Sequence, residues 1–168
     1  MLNIFQAETK DDMTSVRELF WEYLVWANSM NESESNVSFD IKQLLEHDME
    51  QLDKFFPPKG RLLVAKISEQ YAGLICLKEL TEDIGEIKRT YVRPKFRGQG
   101  IGRALLNSVL EEARAIAYKK IRLDSAGYMR EAHSLYRSVG FKDIEPYEGS
   151  EIPEEFKEHW VFMEIQLE

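Results

Sequence analysis

A chain of 168 residues, 43% hydrophobic, is long enough for one full core and short for two, so residues 1–168 are expected to form a single globular domain. Its formal net charge of -8 excludes a binder that tracks nucleic-acid phosphates, which needs a basic surface, and favours cationic partners. No stretch nears the roughly 18 apolar residues that span a bilayer, and the single cysteine, Cys76 in GLICL, has no partner for an internal disulfide, so no membrane association and a reducing, cytoplasmic home are expected.

Leu2 and Ile4 alternate with Asn3 and Phe5, a first short strand. Met13, Val16, Leu19, Phe20, Tyr23, Leu24 and Ala27 then recur at helical steps, with Asp11 or Asp12 placed to cap the start. The polar run NSMNESESN breaks that helix, a second apolar repeat runs from Asp40 to Leu52, and FFPPKG stops it. The period then changes. RLLVAKI and YAGLICLKEL, separated by Ser68, Glu69 and Gln70, read as a hairpin of central strands, and IGEIKRTYV follows as a third. From about Gly100 to Tyr118 an apolar stripe returns (Ile101, Leu105, Val109, Ala113, Ile116); KIRLDS is a buried strand; Ala132, Leu135, Tyr136 and Val139 mark a helix that Gly140 ends. FKDIEPY and HWVFMEIQL are two last strands around an acidic loop.

The stretch VRPKFRGQGIGRALL places three glycines in five residues just ahead of a helix. A helix N-terminus leaves about four N–H groups unpaired and carries roughly half a positive charge. Gly98, Gly100 and Gly102 would let a bulky anion reach those groups, and Arg97 and Arg103 bracket them. A pyrophosphate fits. A P-loop lacks its Gly-Lys-Ser/Thr end here, a dinucleotide fingerprint lacks its last glycine, and the plainer alternative is a flexible glycine turn.

That stretch resembles the Arg/Gln-x-x-Gly-x-Gly/Ala motif of the GCN5-related N-acetyltransferase (GNAT) family, and AHSLYRSVGF is similar to the family's second signature. The resemblance extends to the order of elements over the whole chain. It implies an α/β (α+β) single-domain acyl-CoA N-acyltransferase fold, with a mixed, mostly antiparallel central sheet flanked by helices in the order β-α-α-β-β-β-α-β-α-β-β. It also implies acetyl-CoA as co-substrate, its pyrophosphate held around Arg97, Gly98, Gln99, Gly100, Ile101, Gly102 and Arg103. In the family the strand ahead of this loop splays from its neighbour, which sets Tyr91 and Val92 against the pantetheine arm. Met129 stands where many members carry a pantetheine-contacting asparagine, so that contact is either lost or supplied by Ser125 or Ser134.

Acetyl transfer needs an uncharged amine, and an alkyl ammonium has a reference pKa near about 10.4, so a base or a desolvating pocket is called for. Glu86 resembles the glutamate that some members use there through water; a solvated strand-edge carboxylate is the other reading, and alternation along the strand does not say which way it points. By the same resemblance, Val92 would offer an N–H to the oxyanion, and Tyr136 would protonate the departing sulfur, against the alternative of a core aromatic. His47, His133 and His159 lie far apart without ligand spacing, so no metal site is expected, and His133 reads as an exposed histidine.

The acceptor, a small-molecule or protein amine, would enter between the first two helices and the loop before the last strand. Those segments mix Trp21, Tyr23, Trp26 and Tyr147 with Glu32, Glu34, Glu148, Glu151, Glu154 and Glu155, a surface that suits a cation. The function expected is acetyl-CoA-dependent N-acetyl transfer. The alternative is a catalytically inactive acyl-CoA sensor or interaction module. The resemblance allows a homodimer, although no segment specifies an interface.

Overall fold

Strand β1 (Leu2–Gln6) opens the computed structural model, which describes residues 1–167. Helix α1 (Lys10–Ser35) begins two or three positions earlier than expected, because Thr9 is the cap: its hydroxyl accepts from the Asp12 N–H while the Asp12 carboxylate accepts from the Thr9 N–H. The polar run does not break this helix. It continues through NSMNESES to Ser35 and stops where Asn36 turns left-handed at φ 58°, since a polar stretch with no proline or glycine is free to remain helical once its first turns are packed.

Helix α2 (Ile41–Glu50) follows behind the Asp40 cap, and a 3₁₀ turn (Leu52–Phe55) leads into strand β2 (Arg61–Ile67) and strand β3 (Gln70–Thr81). Their turn is two residues, Ser68 and Glu69, both at positive φ, as hairpins of matching twist require. Strand β4 (Ile84–Val92), helix α3 (Ile101–Ile116), strand β5 (Lys120–Ala126) and helix α4 (Arg130–Val139) come next, then strands β6 (Lys142–Ile144) and β7 (Trp160–Gln166). The expected order of elements is therefore the observed one.

One sheet takes all seven strands in the order β1-β2-β3-β4-β5-β7-β6. Only β4 and β5 run parallel; every other pair is antiparallel. Both faces are covered, which is why β2 and β3 read as continuous apolar runs. Leu63, Ala65 and Ile87 pack with α3, whereas Leu62, Val64 and Cys76 pack with α1 and α2.

Two irregularities of β4 matter for the site. From Tyr91, opposite Leu74, to Lys88, opposite Cys76, β4 spends one residue more than β3, and Arg89 sits there at φ 50°, a bulge. Arg89 is held by two hydrogen bonds to Asp48 of α2, at 3.0 and 2.9 Å. The bulge reverses the side-chain parity of the rest of the strand, so Thr90 and Val92 share the α3 and α4 face with Ile87, while Tyr91 packs toward α1. The second irregularity is a parting: β4 and β5 pair only from Ile84 and Lys120 to Ile87 and Leu123, beyond which β5 stays with β7. Lys88 to Val92 thus face a gap.

Candidate active site

The glycine stretch crosses the mouth of that gap. Arg93 N–H bonds back to the Ala72 carbonyl at 2.8 Å, so by ladder alternation the N–H and C=O of Val92 point the other way, toward the parted side. A short turn from Pro94 to Phe96 then delivers the chain to α3. Gly98 (φ 78°) and Gly100 (φ 80°) are both left-handed, and nothing within 4 Å would meet a Cβ at either. Backbone angle, not crowding, is what they supply. Gly102 differs: it lies in the first turn of α3, where a Cβ would stand 3.5 Å from Leu135, in ordinary contact. That first turn carries no acidic side chain, and Arg103 donates to the Ser138 hydroxyl at 3.0 Å. The Arg97 Nε donates to the Val92 carbonyl at 2.8 Å, with its guanidinium 5.6 Å from the centre of the Tyr91 ring.

A cavity of about 650 Å³ opens here. Thr90, Tyr91 and Val92 form its strand wall, and Arg97, Gly98 and Gly100 its rim. Ile101, Gly102 and Arg103 contribute the helix end, while Tyr128, Met129 and Ala132 close it from the start of α4. Eight of the ten residues expected around a cofactor thus meet at one space. The other two do not: Gln99 and Ser134 are exposed and outside the cavity wall. Ser134 faces away because the helical stripe of α4 turns His133 and Tyr136 inward. Nor is Ser125 a wall residue; its hydroxyl lies 2.9 Å from His133 Nε2 and 3.5 Å from the Met129 sulfur. His133 is buried rather than exposed, and burial, then Arg137, pushes its pKa down.

Tyr136 stands one layer behind the cavity, its hydroxyl donating to the Thr90 hydroxyl at 3.2 Å. Burial pushes its pKa up to about 12, so it stays protonated at neutral pH. Nothing in the local pattern singles out Thr90; only the bulge turns it to this face.

Glu86 lies on the opposite face and is fully buried, not a solvated edge residue. Tyr147, from the loop before β7, donates to its Oε2 at 2.6 Å, while Lys78 and Lys88 stand 3.6 and 3.7 Å from Oε1. Lys88 also reaches Asp124, which accepts from Ser150 of the same loop at 3.0 Å. Although burial works against its charge, Asp124 and then Glu86 hold the Lys88 ammonium above its ordinary pKa. Neither Glu86 nor Tyr147 lines this cavity, so the structure does not bring Glu86 to the space that eight of the expected cofactor residues share. Of the aromatic and acidic residues expected around an acceptor, Trp26 lines the large cavity and Glu34 a smaller one beside it. Among the described residues no cluster of His, Cys, Asp or Glu is arranged to hold a metal ion, and no helix is long and apolar enough to cross a membrane.

The chain is similar to known acetyltransferases. A model of the acetyltransferase (GNAT) family matches residues 13–141. An uncharacterised N-acetyltransferase of Schizosaccharomyces pombe is 28% identical over 99% of this chain and 95% of its own. An IAA acetyltransferase of Azospirillum brasilense is 31% identical over 88% of this chain and 90% of its own. The PaiA N-acetyltransferase of Thermoplasma acidophilum, solved in complex with coenzyme A, superposes with a TM-score of 0.76 at 18% identity over 99% of both chains, which shows a shared fold.

Proposed function

Because the chain belongs to the acetyltransferase (GNAT) family, with acetyl-CoA as co-substrate, we propose that it moves the acetyl group to a primary amine by direct transfer in a ternary complex. The observation that carries this reading is the parting of β4 and β5 beside a glycine loop that exposes the N-terminus of α3, all on one cavity of about 650 Å³. A pyrophosphate suits that helix end, where N–H groups are free of acidic competitors, and a cavity of that size suits an extended pantetheine arm.

In this reading the amine nitrogen attacks the acetyl carbon, a C–N bond forms, and the C–S bond breaks. The amine gives up a proton and the departing thiolate takes one. The Val92 N–H, turned to the gap, would meet the developing oxyanion. The Tyr136 hydroxyl donates to that of Thr90, a residue of the cavity wall, so the two would form a relay that brings a proton to the sulfur. Glu86 takes part as a positioning residue: its hydrogen bond from Tyr147 ties the loop before β7 to the sheet.

Calorimetric titration with acetyl-CoA, followed by assay of thiol release with a panel of amines, tests the proposal. Saturable binding and amine-dependent thiol release are expected. Binding without release for any amine would favour the sensor reading, and no binding by folded protein would remove both.

A further inference from the structure

A second cavity, of about 290 Å³, adjoins the first. Three separate segments wall it: Val37 and Phe39 after α1, Tyr128 and Arg130 after β5, and Phe156 and Trp160 at the approach to β7. Tyr128 and Arg130 also line the large cavity, so the two spaces meet across those side chains.

The lining is mainly apolar, with four aromatic residues that support one another or their neighbours, beside the polar Asn31, Glu34, Ser35, Arg130 and His159. Phe39 meets Phe156 edge-on with centroids 6.5 Å apart, and Phe156 tilts against Trp160 at 6.4 Å. Trp26 packs edge-on against Tyr128 at 6.0 Å. Beneath them the backbone is fixed: Ala126 pairs with Trp160, and the Gly127 N–H donates to the His159 carbonyl at 2.9 Å. Glu34 is the one carboxylate on the wall.

We infer that the acceptor is a primary amine carried on an apolar body of one or two aromatic rings, the rings seated in this cavity and the amine at its junction with the larger one. The inference rests on the transferase reading above and adds the acceptor class to it. A volume at the lower edge of the roughly 300–1,000 Å³ of drug-sized pockets suits one or two rings. Ring edges and faces reward a flat partner, whereas those hydroxyls of an amino sugar that met Phe39, Phe156 and Trp160 would lose their water. A polyamine needs several anions along its length, and the wall offers one. Glu34 and the ring faces attract a single ammonium as it enters, and the Arg130 guanidinium at the junction disfavours its charge there, where the neutral amine must react. Transfer then joins the amine nitrogen to the acetyl carbon, releases CoA thiol, and leaves the amine one proton poorer.

Acetyl transfer to phenylethylamine, tryptamine, phenylalanine, tryptophan, spermidine, glucosamine, lysine and aspartate decides the matter, with acetyl-CoA affinity measured on the same protein. The best aromatic compound is expected to exceed every non-aromatic one in kcat/KM by at least about tenfold, and the first four compounds separate arylalkylamines from aromatic amino acids. Phe156→Ala is expected to raise KM for that compound about tenfold, with acetyl-CoA Kd unchanged and Phe156→Leu partly restoring it. A non-aromatic amine as best acceptor, or acetyl-CoA binding with no transfer to any aromatic compound, overturns the acceptor class and leaves the cofactor site standing. Absent acetyl-CoA binding overturns the transferase reading, and this inference with it.

Discussion

The Tyr147 hydroxyl donates to Oε2 of Glu86 across 2.6 Å, joining the loop before β7 to the middle of β4 in a place from which solvent is excluded. Burial pushes the Tyr147 hydroxyl up from its ordinary pKa, and the charges of Glu86 and Asp124 and the bond to Glu86 push it the same way. A carboxylate so placed, with Lys78 and Lys88 against its other oxygen, holds structure together.

Glu86→Gln is therefore expected to lower stability by about 3 kcal/mol, since it leaves the partly buried Lys78 without this counter-charge and Lys88 with Asp124 alone. Tyr147→Phe should cost about 1 to 2 kcal/mol. Urea unfolding reads both. Tyr147→Phe also loosens the loop that carries Phe156, so it should raise the amine KM with acetyl-CoA Kd unchanged. A Glu86→Gln protein that folds with full stability and loses only kcat would instead mark a catalytic base.

Tyr136→Phe keeps the packing against Phe141 and removes the proton that Thr90 receives. Turnover at saturating substrates should fall about a hundredfold, with acetyl-CoA affinity unchanged. Thr90→Val should fall similarly, and the double variant little further, because the two hydroxyls act as one unit. Additive losses would separate them.

Gly100→Ala and Gly102→Glu should fail in different ways. Alanine at Gly100 must adopt φ near 80°, at a cost of about 1 kcal/mol, and acetyl-CoA binding weakens modestly. Glutamate at Gly102 fits beside Leu135 and suits a helix N-terminus, so the protein stays folded while its carboxylate repels the pyrophosphate. Calorimetry should show at least about a hundredfold loss for Gly102→Glu, alongside an unchanged melting temperature.

Stability should fall at both ends of the pH scale. The pKa of Asp12 is lowered to about 2 because hydrogen bonds from Glu8, Tyr71 and Thr9 outweigh the opposing burial. The folded state thus binds that proton less readily than the unfolded chain, and the stability gained is present above about 3.8 and lost as pH falls toward about 2. Asp12→Asn should flatten this limb and cost about 1 to 2 kcal/mol at neutral pH. Burial raises Tyr71, Tyr118 and Tyr136 from 10.0 to about 12. Here the folded state holds the proton more tightly, so stability is full below pH 10 and declines as pH rises through about 12. Denaturant midpoints across pH measure both limbs.

Local pattern carried much of the architecture. The span of β4, the stripe of α3, the stop at Gly140 and the two motifs are written in neighbouring residues, because helical and strand periods and glycine's freedom at positive φ act over a few positions. Local pattern also misled: NSMNESES reads as a break yet stays helical, and Thr9, through its capping box with Asp12, takes the capping role expected of Asp11 or Asp12.

Orientation and assembly belonged to the tertiary structure. Side-chain parity along β4 depends on one extra residue at Arg89, whose left-handed backbone is held by Asp48 from another element; that shift alone turns Thr90 to Tyr136 and leaves Glu86 on the opposite face with Tyr147. The aromatic cavity has no sequence signature for the same reason, since Phe39, Tyr128 and Phe156 come from distant segments that meet only when the sheet is complete. Sequence by itself determined the order of elements, the glycine-rich helix start and the family motifs, all properties of local backbone geometry. Which faces oppose, which carboxylate is sealed and what surrounds the acceptor were decided by pairing register and packing, which couple residues that the chain keeps far apart.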